Sequence, residues 1–241
     1  MFHELTRIKQ LERSRQEFVA NVSHELRTPL SLIKGYVETL LDGAKDNPEV
    51  AAKFLQTVTR NAERLRLLID DLLTISELES GHLKLNLQTV SLRSLSEKVV
   101  TDLGNRAAAR RVTLCDTIPD VAVQADPDRL EQVLSNLVDN AIKYGRVEGT
   151  VTLTARPASD NAIEVAVQDD GPGIPPEALG RVFERFYRVD KGRSREQGGT
   201  GLGLSIVKHL VQNQGGKTWV TSEPGRGATF YFTLPRANKR P

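Results

Sequence analysis

A histidine with suitably spaced neighbours lies in the segment FVANVSHELRTPL at residues 18–30. A neutral imidazole near pH 7 has a ring lone pair and is a competent nucleophile. Glu25 adjoins His24 and could accept a hydrogen bond from the other ring nitrogen. Thr28 follows one helical turn later, where its hydroxyl could hold a water beside a group attached to the imidazole. These features allow covalent chemistry on His24, although by themselves they also fit a surface histidine without a role.

A second set of polar residues is typical of a nucleotide pocket. Asn136, Asn140 and Lys143 lie within about 60° of one another on the polar face of a helix predicted over residues 126–144. An Asn carbonyl oxygen is a hard, neutral ligand that suits Mg²⁺, and a nearby lysine suits phosphate. Polar residues on an exposed helix face are common, so this face becomes informative only together with the glycine clusters that follow it.

Two glycine clusters follow that helix. The segment Asp169-Asp170-Gly171-Pro172-Gly173 comes directly after a predicted strand, where glycines allow close backbone approach and a carboxylate can accept a hydrogen bond from an amine such as that of adenine. The segment GGTGLGLS at 198–205 precedes an apolar helix, whose first N–H groups form an anion site. Neither segment matches the phosphate loop or the dinucleotide fingerprint. One cluster alone fits a flexible hairpin, but two of them favour nucleotide binding.

Two long helices must position His24. Residues 1–80 show no strand-like alternation and have one break, at Asn47-Pro48, so they predict a helical hairpin. A lone hairpin buries little apolar surface, which favours a dimeric four-helix bundle, while a monomeric hairpin covered by the rest of the chain is the alternative. The apolar stripes are Val22, Leu26, Leu30, Ile33, Val37 and Leu40 in the first helix, and Phe54, Val58, Leu65, Leu68, Leu72 and Ile75 in the second.

Mixed strands and helices are predicted after Gly81, which should end the second helix. Strands are expected at 83–87, 151–154 and 163–167, and Asp126-Pro127 is a good helix start. The fold class is therefore α+β, with a helical hairpin over residues 1–80 and an α/β domain over residues 81–241. Because the first helix begins in mid-pattern, we expect the sequence to be a piece of a longer chain.

Composition excludes several protein classes. Hydrophobic residues make up 39% and charged residues 27% of the 241 residues, a globular composition, and the single Cys115 cannot form an internal disulfide. No apolar run approaches the roughly 18 residues of a membrane span, so a soluble, cytoplasmic piece is expected. The net charge of +2 argues against a strongly basic nucleic-acid-binding protein.

The basic residues are unevenly placed. Arg181 to Arg195 contains six basic and two acidic residues with three aromatic side chains between them. Alone, such a run could indicate nucleic-acid binding. Because it lies between the two glycine clusters, it is better interpreted as a mobile lid whose charge faces a triphosphate.

Taken together, the order and spacing of these segments resemble the catalytic core of the sensor histidine kinases of bacterial two-component systems. The resemblance covers about residues 10–235, and six motifs in one order make it specific. These are SHELRTPL at 23–30, NLVDNAIKY at 136–144, DDGPGI at 169–174, FERFYRVD at 183–190, GGTGLGLS at 198–205 and GRGATF at 225–230.

The resemblance implies a role for each matching residue. His24 would take the γ-phosphoryl group of ATP, Glu25 would act as the neighbouring base, and Thr28 would assist hydrolysis of the phosphorylated response regulator. The residues implied to contact the nucleotide are Asn136, Asn140, Lys143, Tyr144, Asp169, Gly171, Gly173, Arg188, Gly199, Thr200, Gly201, Leu202 and Gly203. Among them, Asn140 would bind Mg²⁺, Asp169 would recognise the adenine amine, and Arg188 would reach toward the γ-phosphate.

The resemblance also implies ATP and Mg²⁺ as cofactors, a homodimer, the receiver domain of a response regulator as partner, and a membrane anchor upstream of this piece. The implied ATP-binding fold is of the Bergerat type, a mixed sheet with helices on one face. The segments FVANVSHELRTPL and GYVETLL look most like the phosphate-regulon sensor branch. A non-kinase ATPase of the same nucleotide-binding superfamily and a dimerising scaffold with an inactive pocket are the alternatives.

A hinge is expected near Ser80-Gly81, because the nucleotide domain must approach His24 for the kinase step and leave again before a regulator docks.

Overall fold

The computed structural model describes residues 2–80, 84–159, 161–189 and 199–237, with side chains from residue 16 onward. The described residues form two compact units. The first contains the chain up to Leu73 together with Gly199 and Thr200, and the second contains the rest, including the end of the second helix from Thr74. The predicted domain boundary between residues 80 and 81 stays a prediction.

The first unit is the predicted helical hairpin. Helix α1 spans Phe2–Leu41 and helix α2 spans Pro48–Glu79, with a 3₁₀ turn at Ala44–Asp46 between them. The Asn47 side chain accepts hydrogen bonds from the N–H groups of Glu49 and Val50 at 3.1 and 3.2 Å, so it caps α2, and Pro48 occupies the first helical position. The rings of Tyr36 and Phe54 pack 5.0 Å apart across the hairpin.

The second unit is an α/β structure, as predicted. Its helices and strands in chain order are β1 Gln88–Ser91, α3 Leu92–Ala109, β2 Thr113–Asp116, β3 Ala122–Ala125, α4 Pro127–Tyr144, β4 Thr150–Ser159, β5 Ala162–Asp169, α5 Pro176–Leu179, α6 Gly203–Asn213, β6 Thr218–Ser222 and β7 Ala228–Pro235.

The main sheet is mixed and has the strand order β2-β4-β5-β7-β6. Strand β2 is parallel to β4, and the other neighbours are antiparallel. Side chains of β7 alternate between buried and half-buried, so one face of the sheet is covered and the other is not. Helices α3, α4 and α6 pack on the covered face, which confirms the predicted arrangement.

Helix α4 carries the predicted asparagines and is fixed at its start by Asp126. One carboxylate oxygen of Asp126 accepts hydrogen bonds from the N–H groups of Asp128 and Arg129, both at 3.1 Å, and Pro127 follows as the first helical residue. Such a cap is worth about 1 kcal/mol. The apolar face of α4 is buried and consists of Leu130, Val133, Leu134, Leu137, Val138, Ala141 and Ile142.

One predicted strand is wrong. Residues 84–87 form no strand, and strand β1 begins at Gln88. Among the described residues, strand β1 pairs with β3 alone, in a register that places Val90 opposite the fully buried Val123. The pairing partner therefore decides the strand position, and the alternation of residues 83–87 does not. Gly81, with the predicted helix stop and part of the predicted hinge, lies outside the described residues.

The strands predicted at 151–154 and 163–167 are confirmed and lie within β4 and β5. Within the described part of the chain, no helix is both long and apolar enough to cross a bilayer.

Candidate functional site

His24 lies in the middle of α1 with an exposed side chain. The helix position explains this, because His24 is about 160° around the helix from Leu26, which belongs to the apolar stripe. The prediction that the imidazole points away from the hairpin seam is confirmed. A second molecule can therefore reach the ring nitrogens.

Glu25 is held by a contact that the sequence analysis did not foresee. Its Oε2 atom accepts a hydrogen bond from Nη2 of Arg64 at 2.9 Å, and the two side chains are only 12% and 13% exposed. The Glu25 carboxylate is thus anchored on α2, next in sequence to an imidazole that faces solvent.

A signal for Arg64 is present in the sequence. In an antiparallel hairpin, residues at equal distance from the turn face each other, and Glu25 and Arg64 are nearly equidistant from the turn at Ala44–Asp46. Opposite charges at such mirrored positions beside an apolar stripe predict an ion pair across the hairpin.

Thr28 lies on the His24 side of α1, as predicted. Its hydroxyl donates a hydrogen bond to the His24 carbonyl oxygen at 3.2 Å. A hydroxyl has one donor and two acceptor lone pairs, so this bond leaves acceptor capacity for a water. Pro29 lies inside α1, and the helix continues through it to Leu41. Because proline has no N–H, it cannot donate to the Glu25 carbonyl four residues earlier.

The polar face of α4 places Asn136 against the start of α6. The Asn136 amide nitrogen donates to the Gly203 carbonyl oxygen at 3.5 Å. Asn140, one turn further along α4, is half-buried, and its side-chain amide has no hydrogen-bond partner in the described part of the chain. The Asn140 carbonyl oxygen is therefore not committed to another contact.

Lys143 has a partner of its own. Its ammonium group lies 2.6 Å from a carboxylate oxygen of Asp139, one turn back on α4, and Asp139 also pairs with Arg106 of α3. The structure therefore directs the Lys143 charge to Asp139. Its predicted contact with phosphate would require the ammonium to leave or share that carboxylate.

Asp169, the last residue of β5, has the most buried side chain of the polar candidates. It is 6% exposed, and its Oδ1 atom accepts a hydrogen bond from the Gly171 N–H at 2.9 Å. Burial raises the pKa of the Asp169 carboxyl, while hydrogen bonds from backbone N–H groups oppose that shift. A buried carboxylate has acceptor positions beyond the one used by Gly171, so it can recognise an amine.

The neighbouring Asp170 has a structural role. Its Oδ2 atom accepts a hydrogen bond from the Thr150 N–H at the start of β4, at 2.9 Å. The two adjacent aspartate carboxylates therefore have different hydrogen-bond partners, and of the two only Asp169 is buried.

Glycine is required around Asp169 because the backbone approaches it closely. A Cβ at Gly171 would lie 2.7 Å from Asp169 Oδ1 and 2.9 Å from the carbonyl oxygen of Tyr144. A Cβ at Gly227, in the GRGATF turn, would lie 1.9 Å from the Asp169 carbonyl oxygen. Gly173 has a φ of +76°, and a Cβ there would lie 2.3 Å from the Glu223 carbonyl oxygen. Glycines of the first and last glycine motifs thus pack against the same residue, Gly171 against the Asp169 carboxylate and Gly227 against the Asp169 backbone.

The second glycine motif lies at the start of α6. Gly201 has a φ of +75°, and its carbonyl oxygen accepts a hydrogen bond from the Phe186 N–H at 2.8 Å. A Cβ at Gly201 would lie 3.2 Å from Nε of Arg188. The structure therefore brings Arg188 beside this motif, as its predicted role requires. Residues 190–195 of the predicted lid lie outside the described residues.

The remaining candidate residues of that motif differ in which of their groups a ligand could contact. The Thr200 hydroxyl donates to a carboxylate oxygen of Asp71 at 2.7 Å, within the first unit. The Leu202 side chain is fully buried, so only its backbone could contact a ligand. Gly199 and Gly203 are both half-buried.

These residues fit ATP and Mg²⁺. Asp169 supplies an acceptor for an amine, and the first N–H groups of α6, an 11-residue helix, suit phosphate oxygens. Leu202 precedes α6 and has no side-chain group that could cap those N–H groups. The uncommitted oxygen of Asn140 is of the type that Mg²⁺ prefers.

Two family profiles match the chain. The profile of the His Kinase A (phospho-acceptor) domain matches residues 14–81, which include His24. The profile of the histidine kinase-, DNA gyrase B- and HSP90-like ATPases matches residues 125–238, which include every candidate nucleotide residue. The chain belongs to the histidine kinase family. The match to a phospho-acceptor domain favours a kinase over a non-kinase ATPase, and the predicted family and enzyme class are confirmed.

One curated relative is itself named a sensor histidine kinase. The kinase core is 38% identical over 238 residues to the sensor histidine kinase WalK of Bacillus subtilis, a match that covers 98% of this chain and 39% of WalK. The chain thus spans about two fifths of that relative. The name WalK does not bear on the phosphate-regulon branch, which stays a prediction.

Solved structures of histidine kinases have a similar fold. The kinase core resembles full-length ShkA in complex with AMPPNP, with a TM-score of 0.69, 32% identity, and coverage of 92% of this chain and 46% of ShkA. It also resembles histidine kinase ThkA in complex with response regulator protein TrrA, with a TM-score of 0.75, 26% identity, and coverage of 97% of this chain and 67% of ThkA. The predicted fold class is confirmed.

Proposed function

We propose that this kinase transfers the γ-phosphoryl group of ATP to His24 and then to an aspartate in the receiver domain of a response regulator. The observation that carries the proposal is the exposed His24 within the segment matched by the phospho-acceptor profile. The buried Asp169, packed by glycines of two motifs, supports the nucleotide half of the proposal. Because ATP is the donor, we place the reaction in the cytoplasm.

The first step is an in-line displacement at phosphorus. The lone pair of one His24 ring nitrogen forms an N–P bond while the bond from the γ-phosphorus to the bridging oxygen breaks, and ADP leaves with that electron pair. The proton on the other ring nitrogen is then shared with or passed to Glu25. Phosphoryl transfer needs little more from the protein than alignment and neutralisation of charge.

The second unit binds and orients the nucleotide. Asp169 accepts a hydrogen bond from the adenine amine, and the α6 N–H groups and Arg188 face the phosphate oxygens. Asn140 would hold Mg²⁺, supported by Asn136. When bound, Mg²⁺ neutralises charge on the phosphate oxygens.

Labelled nucleotide tests this proposal directly. With ATP labelled at the γ-position and Mg²⁺, we expect label that stays on the protein in alkali and is lost in acid, as a phosphorus–nitrogen bond requires. Label appearing only as free phosphate would contradict the proposal and indicate a non-kinase ATPase.

We expect Thr28→Ala to reduce dephosphorylation of the phosphorylated regulator about tenfold or more while autophosphorylation stays within about twofold, because a water positioned by the hydroxyl serves hydrolysis only. The measurement follows loss of phosphate from the receiver domain after removal of ATP. The matched control is Thr39→Ala, because the Thr39 hydroxyl also donates to the carbonyl four residues earlier, at 2.8 Å. Equal effects of the two substitutions would show that only the helix bond matters.

A homodimer is proposed from a second apolar stripe on the hairpin. Leu55, Ile69 and Leu73 of α2 are 55%, 45% and 60% exposed. Leu41 of α1 is exposed too, as are Leu30 and Val37, which belong to the apolar stripe predicted on that helix. Their spacing is heptad-like, and on α2 they are distinct from the buried Leu68 of the inward stripe. A second hairpin packed on this outer stripe completes a four-helix bundle.

Light scattering should therefore give a molar mass of twice 26.7 kDa. Leu55→Glu should shift the protein toward the monomer, because it places a charge in an apolar interface. The neighbouring substitution Gln56→Glu adds the same charge at an exposed polar position and should not. A monomeric wild type at micromolar concentration would contradict the dimer.

A further inference from the structure

The ion pair between Glu25 and Arg64 differs from the ion pairs that the described residues form within α1 or within α2. It joins α1 to α2, and its side chains are 12% and 13% exposed. The pairs of Arg66 with Glu63 and Asp70 lie within one helix, and their side chains are more than half exposed. Exposed pairs contribute little, whereas removing one member of a buried pair leaves an uncompensated charge.

The contact restricts the orientation of the Glu25 carboxylate. The 2.9 Å bond from Arg64 Nη2 is a charge-assisted hydrogen bond between groups largely removed from water. A carboxylate has about four acceptor positions, so a bond to Arg64 does not prevent it from accepting a proton from the His24 ring.

The backbone at Glu25 makes this side-chain anchor more important. Pro29 removes the helix hydrogen bond to the Glu25 carbonyl oxygen, so the turn that carries His24 and Glu25 is held by fewer backbone contacts. The link to Arg64 is a contact that ties this turn to the neighbouring helix.

We propose that Arg64 is a positioning residue for autophosphorylation, which holds the Glu25 carboxylate in the orientation that accepts the His24 proton. The inference rests on the proposed function, in which Glu25 is the base. Arg64 thus acts through Glu25 and not on the nucleotide. A planar guanidinium fixes a carboxylate better than an ammonium group, so lysine should replace it only in part.

The test measures kcat and KM for ATP in autophosphorylation of the whole chain. We expect Arg64→Gln to lower kcat about tenfold or more, with KM within about twofold, since misplacing a catalytic base slows the chemical step and leaves nucleotide binding unchanged. Arg64→Lys should fall between Arg64→Gln and the wild type. The matched control is Arg66→Gln, which removes the same charge from an exposed position of the same helix and should match the wild type.

A double variant separates positioning from a purely structural role. If Arg64 acts through Glu25, kcat of the Glu25→Gln, Arg64→Gln protein should lie within about twofold of Glu25→Gln alone. A further tenfold loss, or an Arg64→Gln rate equal to that of Arg66→Gln, would overturn the inference. Light scattering and thermal melting establish whether each variant forms the folded wild-type assembly.

The double variant also decides the outcome if Arg64→Gln alone does not fold, because it removes both charges of the pair. Failure of the proposed function is distinguishable, since the wild type would then carry no label on His24.

Discussion

The His24→Gln variant is expected to retain no phosphoryl group from γ-labelled ATP, while its affinity for ATP stays within about twofold of the wild type. Glutamine keeps a polar side chain of similar length at an exposed helix position but has no nucleophilic ring nitrogen. Because His24 is exposed, its replacement leaves no cavity, and the melting temperature should be unchanged. Retained label and isothermal titration with a non-hydrolysable ATP analogue measure the two effects.

The matched control is His209→Gln. His209 lies on α6 and is half-buried, and burial together with the nearby cations Arg185 and Lys208 lowers the pKa of its imidazole. The site described above does not use this imidazole, so the variant should be labelled as strongly as the wild type. Equal loss of label in both variants would mean that the substitutions act on the fold and would contradict the assignment of His24.

The second large effect is expected at Asp169. Asp169→Asn should weaken ATP binding about a hundredfold, because one acceptor oxygen becomes an NH₂ donor that faces the donor amine of adenine. Titration with ATP measures the loss. Binding of GTP, whose base has a carbonyl at the corresponding position, should be weakened less, which separates base recognition from a general loss of the pocket.

Asp170→Asn is the control for this prediction. The substitution makes the same chemical change one residue along, at a carboxylate that accepts from the Thr150 N–H. An asparagine oxygen can still accept that hydrogen bond, so stability should fall by about 1 kcal/mol or less and ATP affinity should be retained. If Asp170→Asn and Asp169→Asn weaken ATP binding equally, the assignment of Asp169 to the adenine amine is wrong.

Periodicity predicted those parts of the fold whose structure depends on their own sequence. Helices α1, α2 and α4 have long apolar stripes, and α2 and α4 begin at the caps Asn47 and Asp126. The apolar segments predicted as strands lie within β4 and β5. Strand β1 was placed too early because its position is set by pairing with β3, which is distant in sequence.

The site residues that could be predicted from the sequence are those whose role depends on their own side chain and on neighbours within one short motif. The exposure of His24 followed from its helix position, and the glycines around Asp169 followed from close backbone approach. Arg64 was missed because its role depends on a contact across the hairpin, and the Asp139 carboxylate beside Lys143 was missed because an ion pair competes with the phosphate contact that the motif implies. Both contacts depend on which residues lie close together in the folded chain, and the sequence of a single segment does not specify this.

In the proposed reaction, His24 itself carries the phosphoryl group. Mass spectrometry of the autophosphorylated protein, digested and fragmented at alkaline pH to preserve a phosphorus–nitrogen bond, measures this directly. We predict one phosphoryl group on the peptide that contains His24, with fragment ions that place it on the imidazole. A phosphoryl group on the neighbouring hydroxyl of Ser23 or Thr28, or on any other residue, would contradict the account.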